Sequence, residues 1–207
     1  MPEGKTTPAA IAYTLHGSRY LNVTSRCSLR CAFCPRYNNH WVVGGYNMRM
    51  LRKDEPTADA LVNEAGNPLD FNEVVFCGLG EATVRLDVVL DVARRLRAKG
   101  ARLRLNTNGL ANLVHGRDVT KELFPLIQTV SISLNAQNED VYNRHCRPKR
   151  SGSYAAMLEF IRLARDAGAD VTVTAIDGLE GVDISACEKI ALDLGVKFRR
   201  RVLDDVA

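Results

Sequence analysis

The feature that most narrows the fold of this chain is the alternation of short apolar or β-branched runs with helical-period segments along most of its length. Residues 72–77, 102–107, 129–134, 170–176 and 196–202 read as strands. Between them, helical spacing predicts helices over 84–99, near 119–124, over 138–146 and 154–167, and over 184–194, several of them stopped by glycine. A further helix is expected over 56–66, with Pro56 near its start and Gly66 at its end. Such alternation implies a parallel sheet with right-handed crossovers. With the run 20–24 included, six strands are expected, two units short of a closed eightfold barrel. The predicted fold is therefore α/β: a partial (βα)6 TIM-like barrel with a parallel sheet, in a single domain spanning residues 1–207.

Directly after the first of these runs stands Cys27-Ser-Leu-Arg-Cys31-Ala-Phe-Cys34. Three thiolates on one short loop suit three irons of a cubane cluster, leaving the fourth iron without a cysteine and open to another ligand. A structural zinc site is the alternative, and it needs four closed ligands, with His40 or Cys77 as the candidate fourth. A non-catalytic iron–sulfur carrier or sensor is a third reading, although carriers usually give a cluster four protein ligands. Cys77, Cys146 and Cys187 are scattered and read as small buried residues. The four histidines share no pattern, and no residue is singled out as catalytic.

Polar residues are expected at one strand end after another. These are Gly78-Leu-Gly-Glu81, Asn106-Thr-Asn-Gly109, Ser131-Ile-Ser-Leu-Asn135 and Asp177-Gly178. In barrels of this kind the active site is built from loops at the C-terminal ends of strands. A zinc-stabilised loop gives no reason for that convergence, so it weakens the zinc reading.

Composition excludes some classes. At 46% hydrophobic and 25% charged residues, the chain matches globular proteins, and no apolar run approaches the roughly 20 residues a bilayer span requires. Its start lacks the basic-then-apolar pattern of a signal peptide, so a cytoplasmic setting is expected, which suits reduced thiols. The net charge of +4 is spread over the chain apart from Arg199-Arg200-Arg201, so nucleic-acid binding is unsupported.

The Cys-x3-Cys-x2-Cys spacing, with Phe33 before the last cysteine, resembles the radical S-adenosylmethionine (SAM) superfamily. That resemblance implies a [4Fe–4S] cluster on Cys27, Cys31 and Cys34, with SAM chelating the free iron through its methionine amino and carboxylate groups. It also implies an external reductant such as a flavodoxin or ferredoxin. Gly78, Gly80 and Glu81 resemble the family's glycine-rich motif beside SAM's methionine amino group, with Ala82 where many relatives carry proline. Asn106, Asn108, Ser133 and Asn135 resemble strand ends that approach SAM's ribose and carboxylate, and Arg147 stands where some relatives place a base against that carboxylate.

Longer runs narrow the likeness. Residues 11–24, 75–85, 106–117 and 131–136, with Arg147-Pro148, look like the radical SAM proteins encoded beside TatD-family nucleases. That resemblance leaves the substrate open and allows a macromolecular substrate or a TatD-family partner. The aperiodic stretch 37–52 is expected to be a long irregular connection whose Trp41 and Tyr46 help to cover the substrate. Arg199 and Arg201 are expected to face the barrel mouth, with Arg200 facing away.

Overall fold

The computed structural model describes residues 8–202. Its main sheet has seven strands: β1 (Ala12–Leu15), β2 (Ser18–Leu21), β5 (Val74–Phe76), β6 (Leu103–Thr107), β7 (Thr129–Ser133), β8 (Asp170–Asp177) and β9 (Lys197–Val202), hydrogen-bonded in that order. From β2 to β9 every pairing is parallel, as the alternation predicts.

The seventh strand, β1, is a correction. It pairs antiparallel with β2, Leu15 opposite Ser18, across the two-residue turn His16-Gly17. Both turn residues have positive φ, the type I′ pattern that matches strand twist. A His-Gly turn carries a weaker signal than Asn-Gly, and the hairpin is short, so the periodicity alone did not reveal it.

The stretch 37–52 is also more ordered than its composition suggests. It holds α1 (Pro35–Asn38) and a small hairpin, β3 (Val42–Val43) with β4 (Tyr46–Asn47), turning at Gly44-Gly45. Met48 and Met50, both buried, pin it to the core. Their backbones are held from the cysteine loop's approach: Asn22 Nδ2 donates to the Met48 carbonyl at 3.3 Å, and the Met50 amide donates to Ser25 Oγ at 2.9 Å.

The two central strands β6 and β7 alternate strictly. In β6 and β7, Leu103, Leu105, Val130 and Ile132 are buried against the helices, while Arg104, Asn106, Ser131 and Ser133 take the inner face. The helical layer comprises α2 (Ala58–Ala65), α3 (Leu86–Ala98), α6 (Glu139–Cys146), α7 (Ser153–Asp166) and α8 (Ile184–Asp193). Two short helices, α4 (Ala111–His115) and α5 (Thr120–Leu123), fill the looser segment after β6. Each longer helix buries one stripe; in α7 it is Met157, Phe160, Ile161 and Ala164, at i, i+3, i+4, i+7. Side-chain caps start several of them, with Thr57, Asn138 and Asp183 accepting from the amides of Ala60, Val141 and Ala186.

Phe160 is fully buried and meets Phe124 edge-on, with centroids 6.0 Å apart. Truncation there removes a ring from a close-packed layer. Phe160→Ala is therefore expected to cost about 3–5 kcal/mol of stability. Urea unfolding should show this as a lower midpoint with an unchanged slope.

Candidate functional site: a cysteine pocket at the strand ends

After β2 the chain runs through Asn22, Val23, Thr24 and Ser25, all buried, into the cysteine loop. This loop has almost no regular structure of its own, so its backbone groups are satisfied by neighbours. Arg30 and Ala32 donate to the Cys146 and His145 carbonyls at 3.0 and 2.8 Å, and Lys149 N donates to the Ser28 carbonyl at 3.1 Å. Lys149 Nζ reaches the Cys27 carbonyl at 2.7 Å. The end of α6 thus holds the loop from one side.

Glu55 holds its near end. It accepts from Arg26 Nε and Nη2 at 2.8 and 2.9 Å, accepts from Thr24 Oγ1, and lies 3.5 Å from Arg85 Nε. Burial alone would raise its pKa, yet the bonds from Arg26 and Thr24 outweigh that and keep the carboxyl below its ordinary range.

Cys27, Cys31 and Cys34 line one pocket of about 410 Å³, with Phe33, Gly78, Gly80, Glu81, Asn106, Asn108, Ser133 and Asn135 around it. Every residue the sequence singled out for the cofactors is therefore in this pocket, except Arg147. That residue ends α6 with φ +47, is exposed, and lines a separate cleft on the other side of Cys27. Arg147 itself takes the left-handed conformation that ends α6, and it lies outside the cysteine pocket.

The glycines are needed for contact within the protein. A Cβ on Gly80 would lie 2.0 Å from the Thr24 carbonyl oxygen, and one on Gly78 would lie 2.2 Å from Asn22 Oδ1. Only glycine lets the β5 loop cross this close under the strand that delivers the cysteines. At that crossing the Glu81 amide donates to the Arg26 carbonyl at 2.8 Å.

Glu81 is buried, and its carboxylate binds the next loop together. Oε1 accepts from Thr83 N and Oγ1 and from Thr107 Oγ1, at 3.1, 2.7 and 2.9 Å; Oε2 accepts from Asn108 N at 2.8 Å. Burial pushes its pKa up, and these four donors pull it back towards ionisation. Oε2, with one donor, retains a lone pair for a ligand. Asn108 in turn donates through Nδ2 to Ser28 Oγ at 3.0 Å and lies 3.7 Å from Cys27 Sγ, so the three loops are linked in sequence.

The three thiols are half-buried. Burial, with Glu81 adding to it, pushes Cys27 up to about 12; burial also raises Cys34; and a hydrogen bond with Cys146, then burial, raises Cys31. Such sulfurs are protonated when free and deprotonated on coordination. The Leu29 amide lies 3.4 Å from Cys27 Sγ, an N–H···S bond of the kind that tunes a cluster. Among the described residues no three Cys, His, Asp or Glu side chains converge on a point for one ion. A tetrahedral zinc site requires that convergence, whereas in a cubane each cysteine meets a different iron. His40 is exposed and outside the pocket. Among the described residues three buried oxygens, Asn22 Oδ1, Asn135 Oδ1 and Tyr142 Oη, have no hydrogen-bond partner, and Asn135 belongs to the pocket wall. The residues present fit a cluster with one open iron and a polar ligand beside it.

Several contributors left no sequence signal. Glu55 follows Asp54 in an irregular segment with no motif around it, and Tyr13 sits on the unforeseen β1. Tyr13 donates to the Cys77 carbonyl at 3.3 Å and stacks on Tyr20 at 5.1 Å. Cys77 itself is a correction: it lines the pocket, with Asn106 Nδ2 3.3 Å from its sulfur, rather than packing in the core. Cys146 and Cys187 are buried as expected.

Glu81→Gln replaces an acceptor oxygen with an amide that faces N–H and O–H donors. Unfolding of the cluster-free protein should show a loss of about 1–3 kcal/mol, the cost of leaving buried donors unmade.

A family model for the radical SAM superfamily matches residues 21–194. Among curated proteins, the chain is 31% identical over 92 residues to a tungsten-containing aldehyde ferredoxin oxidoreductase cofactor-modifying protein of Pyrococcus furiosus, covering 44% of this chain and 23% of that one. Among solved structures, SuiB of Streptococcus suis bound to S-adenosylmethionine superposes with a TM-score of 0.64 at 14% identity, covering 89% of this chain and 38% of that one. TYW1 with a lysine-pyruvate adduct bound gives 0.62 at 14%, covering 90% and 65%. The chain thus spans less than two thirds of each of these relatives, and at such identities the structural likeness speaks for the fold alone. On the family match, the chain belongs to the radical SAM superfamily, a class of enzymes whose cofactors are a [4Fe–4S] cluster and S-adenosylmethionine.

Proposed function

We propose that this protein is a radical SAM enzyme acting as one core domain over residues 1–207, with Cys27, Cys31 and Cys34 as cluster ligands. The observation that carries the reading is one pocket holding three thiols and, opposite them, a glycine-and-carboxylate loop tied to the next strand end. When bound, the cluster and SAM supply reductive cleavage to a 5′-deoxyadenosyl radical for hydrogen abstraction. The chain's residues do the rest. Gly78 and Gly80 allow backbone to approach the ligand, Glu81 offers Oε2 to an ammonium, and Asn106, Asn108, Ser133 and Asn135 present polar groups along one wall. Phe33 closes the cysteine end. A non-catalytic carrier is disfavoured, because it gives no account of a ligand wall facing the open iron. Among the described residues no helix is long and apolar enough to cross a membrane, and reduced thiols favour a cytoplasmic setting.

By its motifs the chain resembles the TatD-associated radical SAM proteins, a likeness that suits a macromolecular substrate or a TatD-family partner at the open barrel. Tyr46, 36% exposed, leans on Tyr13 at the pocket wall with centroids 5.5 Å apart, which suits a rim role. Trp41 lies under Arg36 at 4.4 Å and serves its own loop.

The electron donor has a candidate approach. A cleft of about 1470 Å³ on the other side of Cys27 is lined by Arg26, Arg30, Arg36, Arg147, Lys149 and Arg150, with no acidic side chain among its lining residues. That field suits an acidic flavodoxin or ferredoxin, brought to the cluster rather than to the substrate side.

Anaerobic reconstitution should give cluster absorbance, an EPR signal on reduction, and 5′-deoxyadenosine from SAM with dithionite. Cys31→Ala should lose all three; a stable cluster without SAM cleavage would favour the carrier instead. Reduction by an acidic flavodoxin should slow steeply between about 50 and 200 mM salt. In Arg30→Glu/Arg150→Glu it should slow further, with dithionite-driven turnover retained.

A further inference from the structure

The three consecutive arginines of β9 are treated differently by the fold. Arg200 takes the outer face and pairs with Asp177. Arg199 and Arg201, two residues apart and so on the opposite face, line the cysteine pocket. Neither makes a hydrogen bond or ion pair with any described residue.

The contrast with Arg104 on the same inner face is informative. Arg104 is matched by Glu73 at 2.9 Å, Asn106 Oδ1 at 3.0 Å and Tyr20 Oη at 3.3 Å. The fold therefore pairs an inner-face arginine where it needs only structure. At Arg199 and Arg201 it does not, although burial and the neighbouring Arg199 work against the charge on Arg201. Glu81 is the single carboxylate among the pocket's lining residues, and four protein donors already bind it. The wall beside the arginines adds the hydroxyl residues Thr174 and Ser131, and Thr174 stands in register with Arg199 on the neighbouring strand. Two guanidinium forks with hydroxyls beside them match the geometry of an oxyanion.

We propose that Arg199 and Arg201 form an oxyanion subsite that holds a carboxylate or phosphate group of the substrate against the inner face of β9. The inference rests on the radical SAM reading for calling the ligand a substrate. The family resemblance implies that the open iron would take SAM's methionine carboxylate, in which case the anion here would be a second one. The subsite itself requires neither cluster nor SAM.

The test is calorimetric titration of the full chain, cluster-free and cluster-loaded, with malonate and separately with inorganic phosphate at low ionic strength. Saturable one-site binding is expected, and whichever probe binds tighter names the group. Arg199→Ala and Arg201→Ala should each weaken it about tenfold or more. Arg200→Ala should leave it unchanged, and Arg201→Lys should restore part of it, which separates lost binding from lost folding. In the loaded protein SAM affinity should stay near wild type in Arg199→Ala. The proposal is overturned if neither probe binds, if Arg200→Ala weakens binding as much, or if SAM affinity falls while probe binding persists. A chain that never takes up a cluster but binds malonate through these arginines would sink the enzymatic reading and keep the subsite.

Discussion

The carboxylate of Glu81 is the interaction on which the site depends. It is a buried charge, and a buried charge is tolerated only when its oxygens are bonded. Here the donors come from its own turn and from the loop after β6, so satisfying the charge fixes two strand ends in one position. The next link, Asn108 to Ser28, passes that position to the cysteines. A loop without secondary structure acquires a defined shape because both of its faces are bonded to elements that have one.

Close backbone approach makes the arrangement possible. Gly80 lies so near the Thr24 carbonyl that no side chain fits between them. The same glycine that would admit a ligand on one side therefore admits a strand on the other. A functional glycine and a packing glycine need not be different residues, and spacing alone cannot separate the two roles.

Much of this was legible in the sequence. The parallel sheet followed from alternation, and the cysteine loop followed from ligand count, because a cubane needs three sulfurs at close spacing whatever surrounds them. What escaped was what depends on contacts distant in sequence. Glu55 matters through Arg26 and Arg85, 29 and 30 positions away, and nothing local marks it. The first hairpin was hidden by a His-Gly turn, and Cys77 looked like core because a strand end gives no hint of which pleat faces a cavity. Arg147 was placed by analogy of position, which does not say which of two neighbouring clefts a side chain lines.

The last strand has one further consequence. Among the described residues β9 is paired only with β8, which leaves a row of backbone donors and acceptors along its free side. Such a border invites a strand from another molecule, and hydrophobic borders of this kind seed fibres. Along it Lys197 and Arg200 are held in ion pairs with Asp170 and Asp177, and Arg199 is exposed. A strand docking there would have to displace these long, hydrated charged side chains and their ion pairs before its backbone could pair, which blunts the border.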